Sequence, residues 1–206
     1  MTLTASEVHQ LKQAPTHEGV LPTVLSRWSS RSFSPREVTD SDLEKIFEAV
    51  RWTASSMNEQ PWRFLVGRQG TETHQKILAA LIGWNQTWAA AAPVLVLGYA
   101  ATRFAHKNRE NSFAFFDLGA ATFTLTLQAA ALGMTTHQMA GYDQDAARAA
   151  FAIPEDFVLG TAVALGYQDE PSALTHEELL KLETAPRTRK PLAEFVFSSV
   201  GEAAKP

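Results

Sequence analysis

No cysteine occurs among the 206 residues of the chain. Disulfides, thiolate metal sites and a cysteine nucleophile are therefore excluded together. A basic excess is also missing: 18 Lys and Arg face 22 Asp and Glu, so the net charge is −4 and a nucleic-acid partner finds no support. Long hydrophobic runs are scarce. Ala89 to Ala101 is too short to cross a bilayer and contains Pro93, while Ser112 to Met134 is long enough but carries Asp117 and Gln128, which favours a buried helix over a membrane span. The opening MTLTASEVHQLKQAP has neither a basic start nor an apolar run, so no secretory signal is expected; with the lack of cysteine this points to a cytoplasmic location. Common catalytic signatures are missing as well. There is no G-x-G-x-x-G after a strand, no P-loop, no H-E-x-x-H and no G-x-S-x-G. The six histidines are scattered, with no pair at ligand spacing, so no metal is expected.

What is present suffices for a folded core, at 45% hydrophobic and 19% charged residues. Residues 1–19 are polar and read as an N-terminal arm, with one domain over 20–206. The pattern predicts a helix from Leu21 to just before Ser29, then a polar stretch to Thr39. Thr39 and Asp42 form an acidic variant of the capping box, followed by Leu43, Ile46, Phe47 and Val50 at helical spacing, so a helix is expected over Asp40 to Trp52. A polar loop, Thr53 to Pro61, leads into a strand over Trp62 to Gly67. Helices are expected over Thr71 to Leu81 and Trp84 to Ala91. Pro93 to Tyr99 reads as a buried strand, and Ser112 to Leu132 as a long apolar helix stopped by Gly133. A short helix over Ala146 to Phe151, a strand over Val158 to Tyr167, a helix near His176 to Glu183 and a strand-like stretch over Leu192 to Phe197 complete the chain. Many helices with few, irregularly placed strands indicate an α+β architecture rather than a doubly wound parallel sheet.

The chemistry is carried by loops. Arg27, Ser29 and Arg31 alternate, so in an extended chain they share one side and present two guanidinium forks and a hydroxyl, a donor set suited to phosphate. Arg187 and Arg189 repeat the alternation near the other end. By spacing alone each is read more simply as a solvated basic segment. The Ser55 to Gln60 loop is rich in donors and acceptors, although a plain helix-to-strand connection reads equally well.

Together these segments resemble the nitroreductase family of FMN enzymes. Arg27-Trp28-Ser29-Ser30-Arg31 resembles the family's opening R-R-S-x-R segment, and Ser55-Ser56-Met57-Asn58-Glu59-Gln60-Pro61-Trp62-Arg63-Phe64 its S-S-x-N-x-Q-P-W-x-F loop and strand. Asn85 resembles a flavin-contacting asparagine. Phe116-Asp117-Leu118-Gly119-Ala120-Ala121 resembles the start of the dimer-interface helix, and Met139-Ala140-Gly141 the turn whose glycine approaches flavin N5. Arg187-Thr188-Arg189-Lys190 resembles the segment completing the phosphate site. The resemblance implies a central mixed, mainly antiparallel sheet surrounded by helices, and a homodimer with exchanged C-terminal strands and FMN at the subunit interface. The implied FMN contacts are Arg27, Trp28, Ser29, Arg31, Ser55, Ser56, Asn58, Gln60, Asn85, Met139, Ala140, Gly141, Arg187 and Arg189. Phe104, Phe113 and Phe115 fall near the segment that lines the family's substrate pocket, or else pack in the core or interface.

Trp28 and Trp88 depart from the pattern, standing where members carry, respectively, a second basic residue and a lysine near the flavin's pyrimidine edge. Arg31 is then the main cation there. The implied activity is electron transfer from NADH or NADPH through FMN to a nitroaromatic, quinone or similar small acceptor by alternating turnover. The flavin carries the chemistry, and no catalytic side chain is demanded. A flavin store or sensor without turnover is the alternative.

Overall fold

The computed structural model describes residues 3–15, 18–106 and 108–204. Of the N-terminal arm, Ala5–Leu11 forms helix α1, capped by Thr4 in a reciprocal capping box with Glu7, and its Val8 is fully buried. Residues 1, 2, 16 and 17 of the arm, and 107, 205 and 206 of the domain, lie outside the described residues. Helix α2 (Pro22–Ser26) opens on a proline at its first position, where a missing N–H does no harm.

Three long strands make the platform. β2 (Trp62–Arg68) pairs with β3 (Val94–Ala101), and β3 pairs with β5 (Phe157–Gln168). On the other side of β5 lie two short strands end to end: β1 (Phe33–Ser34) and β4 (Thr135–Met139). Every pairing among the described residues is antiparallel. Alternation along the central strands divides the core in two. Val94, Val96, Val163 and Leu165 face one cluster with α3 (Asp40–Arg51) and α6 (Ala114–Ala131). Leu95, Leu97, Ala162 and Ala164 face the other. That side is covered by α4 (Glu72–Ala80), α5 (Gly83–Ala89), α7 (Gln144–Phe151) and α8 (Glu177–Thr184).

Helix α3 starts where its cap predicts, with Thr39 Oγ1 accepting from the Asp42 N–H at 3.1 Å. Leu118, Ala121, Leu125 and Ala129 of α6 are buried at three- and four-residue spacing against the sheet. Gly160 of β5 lets α6 approach closely, since a Cβ there would lie 2.7 Å from Leu118 Cδ2. Gly133 ends this unit at φ +75°, the left-handed conformation that glycine adopts freely.

Two readings need correction. Leu192 to Phe197 is not one strand: Leu192–Glu194 is a 3-10 turn, followed by a hairpin of β6 (Phe197–Ser199) and β7 (Glu202–Ala203). The stretch after Gly133, to which the sequence reading gave no element, contains β4. Its sequence TTHQM lacks the apolar alternation of a half-buried strand, and β4 pairs on one side only. Among the described residues no helix is long and apolar enough to cross a membrane.

Candidate functional site

The two basic segments meet. Arg27, Ser29 and Arg31, in the extended chain between α2 and β1, share a cleft of about 250 Å³ with Arg187 and Arg189 from beyond α8. Trp28 and Leu182 are also in its wall, and so are Lys12 and His137. Arg187 donates to the carbonyl oxygens of Leu25 and Arg27 and so ties the C-terminal segment to the opening one. Arg27 donates to Ser29 Oγ at 3.1 Å. Its Nε is buried and has no hydrogen-bond partner among the described residues. Burial, then the nearby Arg189, lowers the pKa of Arg27; burial, then Arg189 and Arg27, does the same at Arg187. Cations packed this closely, one with an unmet donor, form a site short of negative charge, as a phosphate dianion would supply.

A carboxylate under the loop fixes its path. Glu183, fully buried on α8, accepts from Ser30 Oγ at 2.5 Å, from the Arg31 N–H at 2.9 Å and from the Ser32 N–H at 3.3 Å. The sequence reading placed Glu183 at the end of a helix it took for a polar surface element. The available signal was its position four residues after Leu179, which is also buried. His137 was missed too, as one lone histidine among six. Its Nδ1 lies 3.1 Å from the Ser30 carbonyl, an acceptor only, so Nδ1 carries the proton and donates. Burial, then the Arg31 charge, pushes its pKa down to about 4, so the ring is neutral near pH 7.

From His137, β4 runs along the sheet with its outer edge unpaired and ends beside Ala140 and Gly141. The five residues of β4 span about 13 Å from Thr135 to Met139. At this far end Asn85 Nδ2 donates to the Gly141 carbonyl at 2.9 Å, and the Ile82 N–H donates to the same oxygen at 3.1 Å. A Cβ on Gly141 would lie 2.8 Å from both Asn85 Nδ2 and Ile82 Cδ1, so the Asn85 amide can sit against this turn only if its tip and that of Ile82 meet no side chain there. Met139 is buried beneath it. Trp88 packs inside, its ring 4.6 Å from His137 and stacked on Phe33 at 6.2 Å, and it borders a small cavity of about 70 Å³ shared with Arg31.

The Ser55–Gln60 loop is not part of this ledge within one chain. It sits at the start of α6, where the Ser56 N–H donates to Asp117 Oδ2 at 3.0 Å and the Gln60 N–H to Ser55 Oγ at 3.0 Å. Thr126 of α6 borders a hollow with Arg27, nine residues on from Asp117, or about 13 Å along the helix. Met57, Asn58 and Gln60 all have positive φ, 55°, 55° and 51°, a run of left-handed non-glycine residues that marks a strained loop. Ser55 and Ser56 border an apolar hollow of about 320 Å³ with Phe113 and Phe116. Phe115 is exposed on the same helix. Phe104 is buried beneath the Arg109 guanidinium, 5.0 Å from its ring centre.

The fold is thus an antiparallel sheet flanked by helices on both faces, with a cleft lined by five basic residues near one end of β4. The chain belongs to the nitroreductase family, whose profile matches residues 24–87 and 83–167. It is 30% identical over 154 residues to an Archaeoglobus fulgidus protein named as an NADH dehydrogenase/NAD(P)H nitroreductase, a match covering 73% of this chain and 86% of that one. The solved structure of an oxidoreductase containing FMN aligns with a TM-score of 0.84 at 32% identity, over 90% of this chain and 94% of the other. A Desulfovibrio desulfuricans nitroreductase solved in complex with FMN aligns at 0.71 and 23% identity over 89% and 98%, a likeness of fold.

Proposed function

We propose that the cleft between the two basic segments holds the phosphate of FMN and that β4's free edge supports the rest of the molecule as far as Gly141. The chain is an FMN-dependent NAD(P)H oxidoreductase of the nitroreductase family. The observation that carries the reading is the convergence of Arg27 and Ser29 with Arg187 and Arg189, about 160 residues apart in sequence, around a buried unpartnered Arg27 Nε.

When bound, FMN supplies hydride acceptance from a nicotinamide and delivery of electrons to the acceptor. Arg27, Ser29 and Arg189 donate to its phosphate, while Arg187 braces the two segments from behind. Arg31, held by its N–H on Glu183, puts a permanent positive charge at the inner end of the cleft, where it favours extra electron density on the bound ring. Asn85 and the Gly141 turn set the ring's far edge. Neutral His137 adds no charge to the cleft. Donor and acceptor use one exposed space in turn, which gives alternating turnover, and the acceptor is a small flat electrophile such as a nitroaromatic or quinone.

A second copy of the chain completes the site. It brings the Ser55–Gln60 loop to the partner's cleft, since one chain holds the two apart, and it covers the exposed aromatic face of α6. C-terminal residues around Phe195, Phe197 and Val200, exposed here, pack against that partner. The test is anaerobic mixing of flavin-loaded protein with NADH or NADPH. The flavin absorbance bleaches and returns when a quinone or nitroaromatic is added. A flavin band that neither nucleotide bleaches contradicts the reductase and leaves a flavin store or sensor.

A further inference from the structure

Lys12 is outside the region matched by the family, on the turn that ends α1, yet it forms part of the cleft wall. It is only 5% exposed. Its Nζ lies 4.6 Å from the centre of the Trp28 ring and donates to the Leu182 carbonyl at 3.1 Å. Burying an ammonium without a carboxylate in contact is unfavourable. Burial lowers its pKa first; the charge of Glu183 acts to raise it, while those of Arg31 and Arg187 lower it further. Leu182 takes one of the three N–H donors, the Trp28 face is a weaker second contact, and the cleft lies open beside the remainder. The placement is anchored from elsewhere: the Ala5 N–H donates to Glu170 Oε2 at 2.8 Å, and Val8 is fully buried.

We propose that Lys12 is a phosphate-binding cation of the flavin site, supplied by the N-terminal helix. The inference rests on the phosphate-cleft reading above. Trp28 then has a definite role: its ring is the platform on which the Lys12 ammonium rests at the cleft edge. α1 is thus part of the cofactor site, and its docking and FMN binding reinforce each other.

The test compares wild type, K12M and K12R in titrations with FMN and with riboflavin, which has the same ring and no phosphate. Methionine keeps the apolar stem over Trp28, so the fold is preserved. K12M should lose about tenfold in FMN affinity, the scale of one charged hydrogen bond. Riboflavin affinity should stay unchanged, and K12R should keep most of the FMN affinity. Equal FMN affinity in K12M and wild type overturns the role of Lys12 while leaving the cleft reading intact, and so does a parallel loss for both ligands, which marks a merely structural residue. A wild-type protein that binds riboflavin as tightly as FMN overturns the cleft reading and this inference with it.

Discussion

Glu183 shows how one buried side chain shapes the site without touching a ligand. Three donors from the Ser30–Ser32 backbone and hydroxyl converge on it. In E183A the Arg31 N–H loses its acceptor, while Ser30 Oγ keeps the Ser32 carbonyl and the Ser32 N–H keeps Ser30 Oγ, so stability should fall by about 1–3 kcal/mol, read as a lower urea midpoint. E183Q keeps one acceptor oxygen and should lose less. His137 gives a pH signature. Its folded-state pKa, about 4, lies below the ordinary value of 6.5, so between those limits the unfolded chain binds a proton that the folded one refuses. Stability is therefore complete above about pH 6.5 and declines as pH falls towards 4, by up to about 3 kcal/mol. The variant H137Q should show a flatter acid limb in urea melts run across that range; an unchanged limb would show that His137 does not titrate in this way. At Gly141, alanine should displace the Asn85 amide, because its methyl meets Asn85 Nδ2 and Ile82 Cδ1 at 2.8 Å; little change in the urea midpoint is expected, since both are the ends of movable side chains.

At the level of elements, α6 has two faces. One carries Leu118, Ala121 and Leu125 into the core; the other exposes Phe116 at 73% and Phe123 at 44%, with Gly119 between them. A row of bare phenylalanines on a well-packed helix is the surface a second copy would cover. Wild type should sediment as a dimer, and F116E together with F123E as a monomer with weakened FMN retention; a wild-type monomer that retains FMN would contradict this. The elements also show what the sequence could reveal. The cap at Thr39, the β-branched run of β3 and the stop at Gly133 are local signals, and each element falls within a few residues of its expected bounds. β4 was illegible because Thr135, His137 and Gln138 use their side chains in hydrogen bonds to the Trp28 carbonyl, the Ser30 carbonyl and Thr126 Oγ1 rather than in an apolar alternation. The Leu192 to Phe197 stretch looked like a strand from its apolar residues, yet it turns, and its hydrophobic side chains stay exposed.

Over the whole molecule, the chain brings its two ends together. α1, the Arg27–Arg31 segment and the Arg187–Arg189 segment meet around one cleft, while the sheet supplies the edge of β4 beside it. The motif residues at both ends were readable through the family resemblance, since their alternating charge alone reads more simply as two solvated segments. The residues that make them a site were not: Lys12 lies in a polar arm, and Glu183 and His137 are single polar residues whose meaning depends on contacts more than a hundred positions away. Convergence of this kind is a property of the fold and leaves no local trace.

The most direct measurement is a titration of flavin-free protein with FMN, for wild type, R27A and R189A. The account predicts that wild type takes up FMN and turns yellow, and that each variant binds more weakly by about 1–3 kcal/mol. A wild-type protein that stays colourless in excess FMN, or two variants that bind FMN as wild type does, would contradict it.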